Sequence, residues 1–424
     1  MNSETWLTIK AKQFCENVTD GTHDSPKSST FGKYLITSRH LKEFELDFLN
    51  AYKISSIEYE KIIKRSKVEK WDILYSMIGT VGNVYQERHE FPEYAIKNIG
   101  LFKMGKDENK SRWLFYFLKG NEAKEYFNSR LCGSTQSYVT LETLRNLPIK
   151  IPQNYLYRDK IIRILSSLDE KIKINNKIIK NLEEMAKAIF KNWFVDFEPF
   201  NDKEFIECEY GNIPKDWKIM KLRDVCEIQK GLSYKGQHLK NIGVPMINLG
   251  CVEPGGDFRL NKLKYYDGEF KSQHTVIPGD IVIANTDMTS ERLILGSPII
   301  IPELDCSPII FTHHLFAFKG LKISREYLYY FLKSETFRKR AEGYANGTTV
   351  LSLSKEDILS IDFIVPDNQT LEKFANIVDK LIKLKHNSDN ENLKLGKIRD
   401  SLLPKLMSGE IRVPTTEMSN EEVC

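Results

Sequence analysis

The chain has 424 residues, 41% of them hydrophobic and 28% charged, a balance that excludes wholesale disorder and, at this length, predicts two domains plus connectors rather than one core. A net charge of +4 neither announces nor excludes nucleic acid, so the distribution of basic residues has to decide. No apolar run approaches the roughly 18 residues of a membrane span. Residues 1–14 lack the basic-then-apolar order of a secretion signal. Seven scattered cysteines with no CxxC pair fit reduced cytoplasmic thiols better than a disulfide frame or a zinc site.

In chain order, "WDILYSMIGTVG" (71–82) predicts a short apolar strand entering a Gly-rich loop. A basic amphipathic helix follows around "LFYFLKGNEA" from Leu114, then a Gly-Ser-Thr-Gln loop (133–136), a short helix, and a strand stopped by proline in "LPIKIP". Residues 97–130 hold eight Lys/Arg against four Asp/Glu. After Pro152, Ile161, Leu165, Leu168, Ile172, Asn175, Ile179, Leu182, Ala186, Ile189 and Trp193 form a heptad seam in a helix of roughly 40 residues.

The same order then recurs. "GDIVIANTDMTS" (279–290) answers the first strand and loop, and "LYYFLKSETF" from Leu328 answers the basic helix. Gly347-Thr348-Thr349 falls on the Gly-Ser-Thr loop, and "IDFIVP" falls on "LPIKIP". Residues 319–340 hold seven Lys/Arg against two Asp/Glu. Upstream, Trp6, Lys10, Cys15 and Glu16 align with Trp217, Lys221, Cys226 and Glu227. A second seam runs Phe374, Ile377, Leu381, Leu384, Ser388, Glu391, Leu395, Ile398, Leu402. One unit of about half the chain thus occurs twice, with a shared frame and private loops. Each long helix is expected to bury its stripe on the other, with Asn175 meeting the Ser388/Glu391 interruption to fix register. The alternative is a frayed kink at 386–392, and both stay open here.

Catalytic motifs are missing. "GLFKMGKD" (100–107) has phosphate-loop spacing, but Asp107 stands where a hydroxyl would hold magnesium. Asp257, Glu269 and Lys271 outline a metal-nuclease pattern without a second acid cluster. His313 and His314 are read as alternating across a strand.

Over nearly its whole length the chain resembles the DNA-sequence specificity subunit of type I restriction–modification systems. The segments that carry the likeness are "DGTHDSP" (20–26), the "DIL…GTVG" strand-loop, "KAIFKNWFVDFEPF" (187–200), "GNIPKDWKIMKLRDV" (211–225) and "RDSLLPKLMSGEI" (399–411). The resemblance implies two similar target recognition domains separated by two long spacer helices in a mixed α/β fold, and a duplicated domain–helix–domain–helix chain closes most simply if those helices form an antiparallel coiled coil with pseudo-two-fold repeat. The boundaries are 1–152, 153–198 for the central helix, 199–366, 367–412 for the C-terminal helix, and 413–424 for a tail. It implies a non-catalytic subunit that reads a bipartite, asymmetric duplex DNA site and takes part in defence against foreign DNA. Two methyltransferase subunits and motor-nuclease subunits would join it, and S-adenosylmethionine, ATP and Mg would sit on those partners.

The expected base readers are polar residues on private loops. They are His23, Arg39, His40, Thr80, Asn83 and Gln136 in the first domain, and Asn248, Asn285, Asp287, Thr289, Arg292 and Thr348 in the second. For the Gly-Ser/Thr loops the other reading is helix capping. Lysines near the "YFLK" helices are expected to hold phosphates. Trp193, Phe194 and Phe197 outline a partner-docking cluster or a helix-to-domain packing patch. Two rival readings remain: a self-sufficient metal-dependent nuclease, and a coiled-coil scaffold that binds only protein.

Overall fold

The computed structural model describes residues 5–287, 293–304, 306–347 and 351–414. The chain forms two compact units, residues 1–176 with 390–424, and residues 177–389.

In the first unit, β1 (Trp6–Lys10), α1 (Ala11–Phe14), β2 (Asn17–Asp20), β3 (Lys33–Ile36), β4 (Lys53–Ile54) and α2 (Ser56–Ser66) come first. Then come β5 (Ile73–Ser76), β6 (Val84–Gln86), β7 (Tyr94–Ile96), β8 (Ile99–Lys103), α3 (Glu108–Lys119), α4 (Asn121–Asn128), α5 (Leu141–Arg145) and β9 (Pro148–Pro152). The long helix α6 (Tyr155–Phe194) follows. Among the described residues these strands form sheets ordered β2-β8-β5-β6, β4-β3-β7 and β1-β9.

In the second unit the elements are β10 (Phe205–Cys208), β11 (Gly211–Pro214), β12 (Lys218–Lys221), α7 (Leu222–Val225), β13 (Glu227–Lys230), β14 (Leu239–Lys240), β15 (Val244–Ile247) and β16 (Lys264–Tyr266). They continue as β17 (Thr275–Val276), β18 (Ile281–Ala284), β19 (Thr286–Asp287), β20 (Pro298–Ile300), β21 (Ile309–Phe311) and β22 (Leu315–Lys319). The last are α8 (Arg325–Lys333), α9 (Glu335–Gly343), β23 (Leu351–Ser352), α10 (Lys355–Ser360), β24 (Asp362–Val365) and the long helix α11 (Asn368–Ser408), whose residues from Asn390 on belong to the first unit, as those of α6 from Lys177 on belong to the second.

The duplication read from sequence extends to pairing. β13-β22-β18-β20 repeats β2-β8-β5-β6, and β12-β24 repeats β1-β9. The parallel pair β15–β21 repeats β3–β7. Even single bonds recur: Ala11 N–H donates to Leu147 O at 2.9 Å, and Leu222 N–H to Ile361 O at 3.0 Å. Cys15 and Cys226 end the matching one-turn helices, and burial pushes both thiols up to about 12. Because the thiolate is the reactive form, brief alkylation of native protein at neutral pH should modify exposed Cys132 and Cys306 about a hundredfold faster than Cys15 and Cys226. Peptide mass spectrometry checks this; equal rates would contradict the packing.

The core of each unit is completed by both long helices. In the first unit, Tyr157, Ile161 and Leu165 of α6 and Leu403, Leu406 and Met407 of α11 join the cluster around Trp113. Gly409, at φ 80°, follows α11 where a Cβ would stand 3.0 Å from the Trp6 ring, so a side chain there would be strained. In the second unit, Ala186, Phe190 and Phe194 of α6 and Phe374, Val378 and Ile382 of α11 close the core. The Trp pair is repeated as well: Trp6 packs on Tyr157 and Trp217 on Phe194.

The seam expected for α6 lies on its buried face, while that of α11 is displaced. Ile377, Leu384 and Ile398 are 40%, 52% and 48% exposed, whereas Val378, Ile382, Arg399 and Leu403 are buried. Helix α11 runs unbroken through 386–392, without the frayed kink. Within the first unit, Asn175 is 1% exposed and donates to Glu391 Oε2 at 2.8 Å and Asn392 Oδ1 at 3.0 Å.

Candidate nucleic-acid interface

Strand register gathers the private loops. In the first unit Ser76 pairs with Ile99 and Asp20 with Gly100, so the ends of β2 and β5 and the start of β8 share one sheet edge. The parallel Ile36–Ile96 pair brings the end of β3 there too. The loop 131–138 joins this edge: Gly79 N–H donates to Ser137 O at 3.2 Å and Val139 N–H to Met77 O at 2.9 Å. Gly133, at φ 89°, turns where a Cβ would lie 2.4 Å from Gln136 O, which reserves the position for glycine. Thr140, not Ser134 or Thr135, caps α5, so the Gly-Ser-Thr stretch is a loop rather than a cap.

The second unit repeats the gathering. Ala284 pairs with Leu315 at the end of β18, and Ile247 with Phe311 at the end of β15. Thr286 and Asp287 pair with Ser352 and Leu351, and Leu353 N–H donates to Asn285 O at 2.8 Å. In both units, therefore, the residues just after β5 or β18 lie beside residues that precede the short helix α5 or α10.

The expected readers divide into two groups. Arg39, Thr80 and Gln136 are exposed on these loops. His23 also projects from the edge, its Nε2 2.9 Å from Asp20 Oδ2 and its Nδ1 2.8 Å from Asn98 Oδ1. The others brace the loops from inside. His40, 2% exposed, accepts the Thr37 N–H at Nδ1 (3.0 Å) and donates from Nε2 to Asn50 O (3.1 Å). Burial lowers its pKa, as a neutral ring in that arrangement requires. Asn83, half-buried, donates to Leu41 O at 3.4 Å. Asn248 accepts from Gly250 N–H (2.9 Å) and donates to Lys262 O (2.8 Å). Asn285 donates to His313 O (3.0 Å), and Asp287 accepts the N–H groups of Ile294 (2.7 Å) and Leu295 (3.0 Å). His40, Asn248, Asn285 and Asp287 are thus corrected from base readers to loop braces: buried amides and carbonyls that leave a strand end need partners, and short polar side chains supply them. Thr289, Arg292 and Thr348 lie outside the described residues.

The "YFLK" lysines are corrected too. Lys333, whose side chain is 2% exposed, lies 2.5 Å from Glu183 of α6 and 3.7 Å from Asp257. Lys385 of α11 reaches the same two acids at 3.0 and 2.5 Å, and Tyr330 Oη donates to Glu183 at 3.4 Å. Burial alone would raise the Glu183 carboxyl, but Lys333 and Lys385 outweigh it and hold it at about 2. The first unit carries the counterpart. Tyr116 Oη donates to Asp169 of α6 (3.0 Å), Arg399 of α11 reaches Asp169 (2.8 Å) and Glu43 (2.6 Å), and Lys119 pairs with Glu43 (2.7 Å). Each "YFLK" helix is a charged clamp between its domain and both long helices. Nothing in the individual segments signalled this, because each clamp joins residues far apart in sequence.

Phe194 is 6% exposed and packs on Trp217, Tyr327 and Phe374; Trp193 rests on Phe200 and Phe374, and Phe197 on Phe205 and Trp217. These aromatics anchor the helix end to the second unit, so the exposed docking reading gives way to packing. The nuclease pattern also dissolves. Asp257 is engaged by Lys385, Lys271 sits on an exposed turn, and among the described residues no three His, Cys, Asp or Glu side chains form a metal-binding group. Gly100 to Lys103 is strand β8, and Asp107 caps α3, which leaves no phosphate loop. His313 and His314 occupy the turn between β21 and β22 rather than a strand. No helix among the described residues is long and apolar enough to cross a membrane.

Known proteins share this architecture. The type I restriction modification DNA specificity domain model matches twice, over residues 4–184 and 214–395. The MjaIX specificity subunit of Methanocaldococcus jannaschii is 28% identical over 324 residues, covering 73% of this chain and 71% of that protein. The HindI specificity subunit of Haemophilus influenzae is 24% identical over 408 residues, covering 82% and 88%. The S subunit of the type I system from M. genitalium superposes with a TM-score of 0.57 at 16% identity, covering 96% of this chain and 97% of that one, a likeness of fold. With two matches that follow the internal duplication and together span most of its length, the chain belongs to the type I restriction–modification DNA specificity family.

Proposed function

We propose that each unit reads one half of a bipartite, asymmetric duplex site, and that the chain directs methylation and cleavage carried out by partner subunits. The observation that carries this reading is the shared frame with unlike loop sequences: β5 and β18 hold equivalent places in their sheets, yet the sequences that follow them, "SMIGTVGNV" and "NTDMTSERL", differ. Direct readout needs polar side chains that differ with the target, held on a scaffold that does not. Exposed Arg39, Thr80, Gln136 and His23 are the proposed contacts in the first domain, with Thr289, Arg292 and Thr348 in the second.

The long helices serve as spacer, paired as an antiparallel coiled coil with pseudo-two-fold repeat. The pairs Asp169–Arg399 and Asn175–Glu391 in one unit, and Glu183–Lys385 and Phe190–Phe374 in the other, support that direction, since rising numbers on α6 meet falling numbers on α11. Asn175 fixes register at the cost of some stability. In the second unit, Ile178 and Met185 of α6 and Ile377 and Leu384 of α11 are 40% to 52% exposed, and they are the proposed docking positions for methyltransferase subunits. Motor-nuclease subunits complete the assembly, which acts in the cytoplasm. S-adenosylmethionine, ATP and Mg belong to those partners, and this chain contributes recognition without catalysis.

Exchanging loops 77–83 and 131–138 for those of a relative with another target tests the reading. Methylation mapping should then show one half of the recognised sequence replaced and the other retained. Replacement of both halves, or of neither, would refute modular reading.

A further inference from the structure

The turn between β21 and β22 differs sharply from its counterpart between β7 and β8. In the first unit that turn is closed: Asn98 Oδ1 meets His23, and Lys97 Nζ donates to Ser25 Oγ at 2.5 Å. In the second unit it is Thr312-His313-His314, whose two imidazole centroids lie 3.9 Å apart. Thr286 Oγ1 holds His314 Nδ1 at 2.9 Å. Three buried polar atoms here, Asn285 Oδ1, Thr312 Oγ1 and His313 Nδ1, have no hydrogen-bond partner among the described residues. Asn285 and Thr312 are 3% and 1% exposed. Neither ring's Nε2 has a partner among the described residues, and neither is buried. Tyr234 stands 6.5 Å from the His313 ring, and Lys230 and Lys264 place positive charge around His314.

An unpartnered buried polar atom destabilises the fold, and folded proteins retain few without a use. Three on neighbouring residues, at the edge where this unit gathers its private loops, mark a site left open for a polar ligand. Resting on the half-site reading above, we infer that His313 and His314, set by Thr312, Asn285 and Thr286, contact base edges of the second unit's half-site. The ring nitrogens supply the hydrogen bonds, Lys230 and Lys264 supply the phosphate attraction, and Asn285 and Thr286 are positioning residues.

The test uses the full-length chain in its complex and a random duplex library, from which the wild type selects its preferred duplex. Affinity for that duplex is compared with affinity for a scrambled one. His313→Phe and His314→Phe retain ring packing without the nitrogens, and thermal unfolding verifies the fold. The preferred-to-scrambled ratio should fall tenfold or more, with scrambled-duplex affinity unchanged and selected sequences relaxed in one half only. An unchanged ratio, or a joint fall in both affinities, would overturn the inference. A wild type that selects nothing would instead overturn the half-site reading itself.

Discussion

Glu183→Gln is expected to lower the stability of the second unit by about 3 kcal/mol at neutral pH. The substitution keeps the shape of the side chain but leaves Lys333, 2.5 Å away with its side chain 2% exposed, facing an uncharged amide. Lys385 loses one of its two acids as well. The carboxyl is held at about 2, below the ordinary 4.5. Its contribution is therefore fully present above about pH 4.5 and is lost as pH falls toward 2. Denaturant unfolding of the two proteins, followed at Trp193 and Trp217, should show a gap that narrows steadily between pH 5 and pH 3. A gap that stays constant across that range would mean that Glu183 acts through packing instead.

The second large effect is on spacing. Seven residues of seam-preserving sequence added after Asn176, with seven more after Asp389, lengthen each helix by about 10 Å while keeping every seam contact on its face. At about 3.4 Å per base pair, the gap between half-sites should grow by about three pairs with both half-sites unchanged. Methylation mapping reads this directly. A gap that does not move would remove the helices from the spacer role, and altered half-sites would mean that the insertions disturbed the domains.

The duplicated frame is legible in sequence because core positions such as Trp113 and Tyr327, or Leu144 and Ile358, recur at one offset. Which loop residues face outward is not legible. Asn248, Asn285 and Asp287 look like readers because they are polar and belong to one copy, yet a strand that ends inside the protein needs those same side chains for its own amides. The seam of α11 misleads for a related reason. Lys385 and Arg399 look like surface positions, so a count of apolar residues steps past them to Leu384 and Ile398. Only when Glu183 and Asp169 fold against them do they belong inside. The clamp lysines Lys119 and Lys333 fail in the same way: a basic helix flank looks ready for phosphate until distant acids claim it.

The shared use of α11 has a consequence for how the protein is made. The first unit takes Leu403, Leu406 and Met407 into its core, although the rest of that unit ends at Asn176. About 230 residues must still leave the ribosome before these side chains exist, roughly 10 to 45 seconds of synthesis. During that interval the nascent first half exposes the bed that Leu403 will fill, and chaperones or proteases have time to act on it. A chain truncated at residue 389 would keep every residue of the second unit yet leave the first without Leu403, Leu406 and Met407, so an early stop damages the half that was synthesised first.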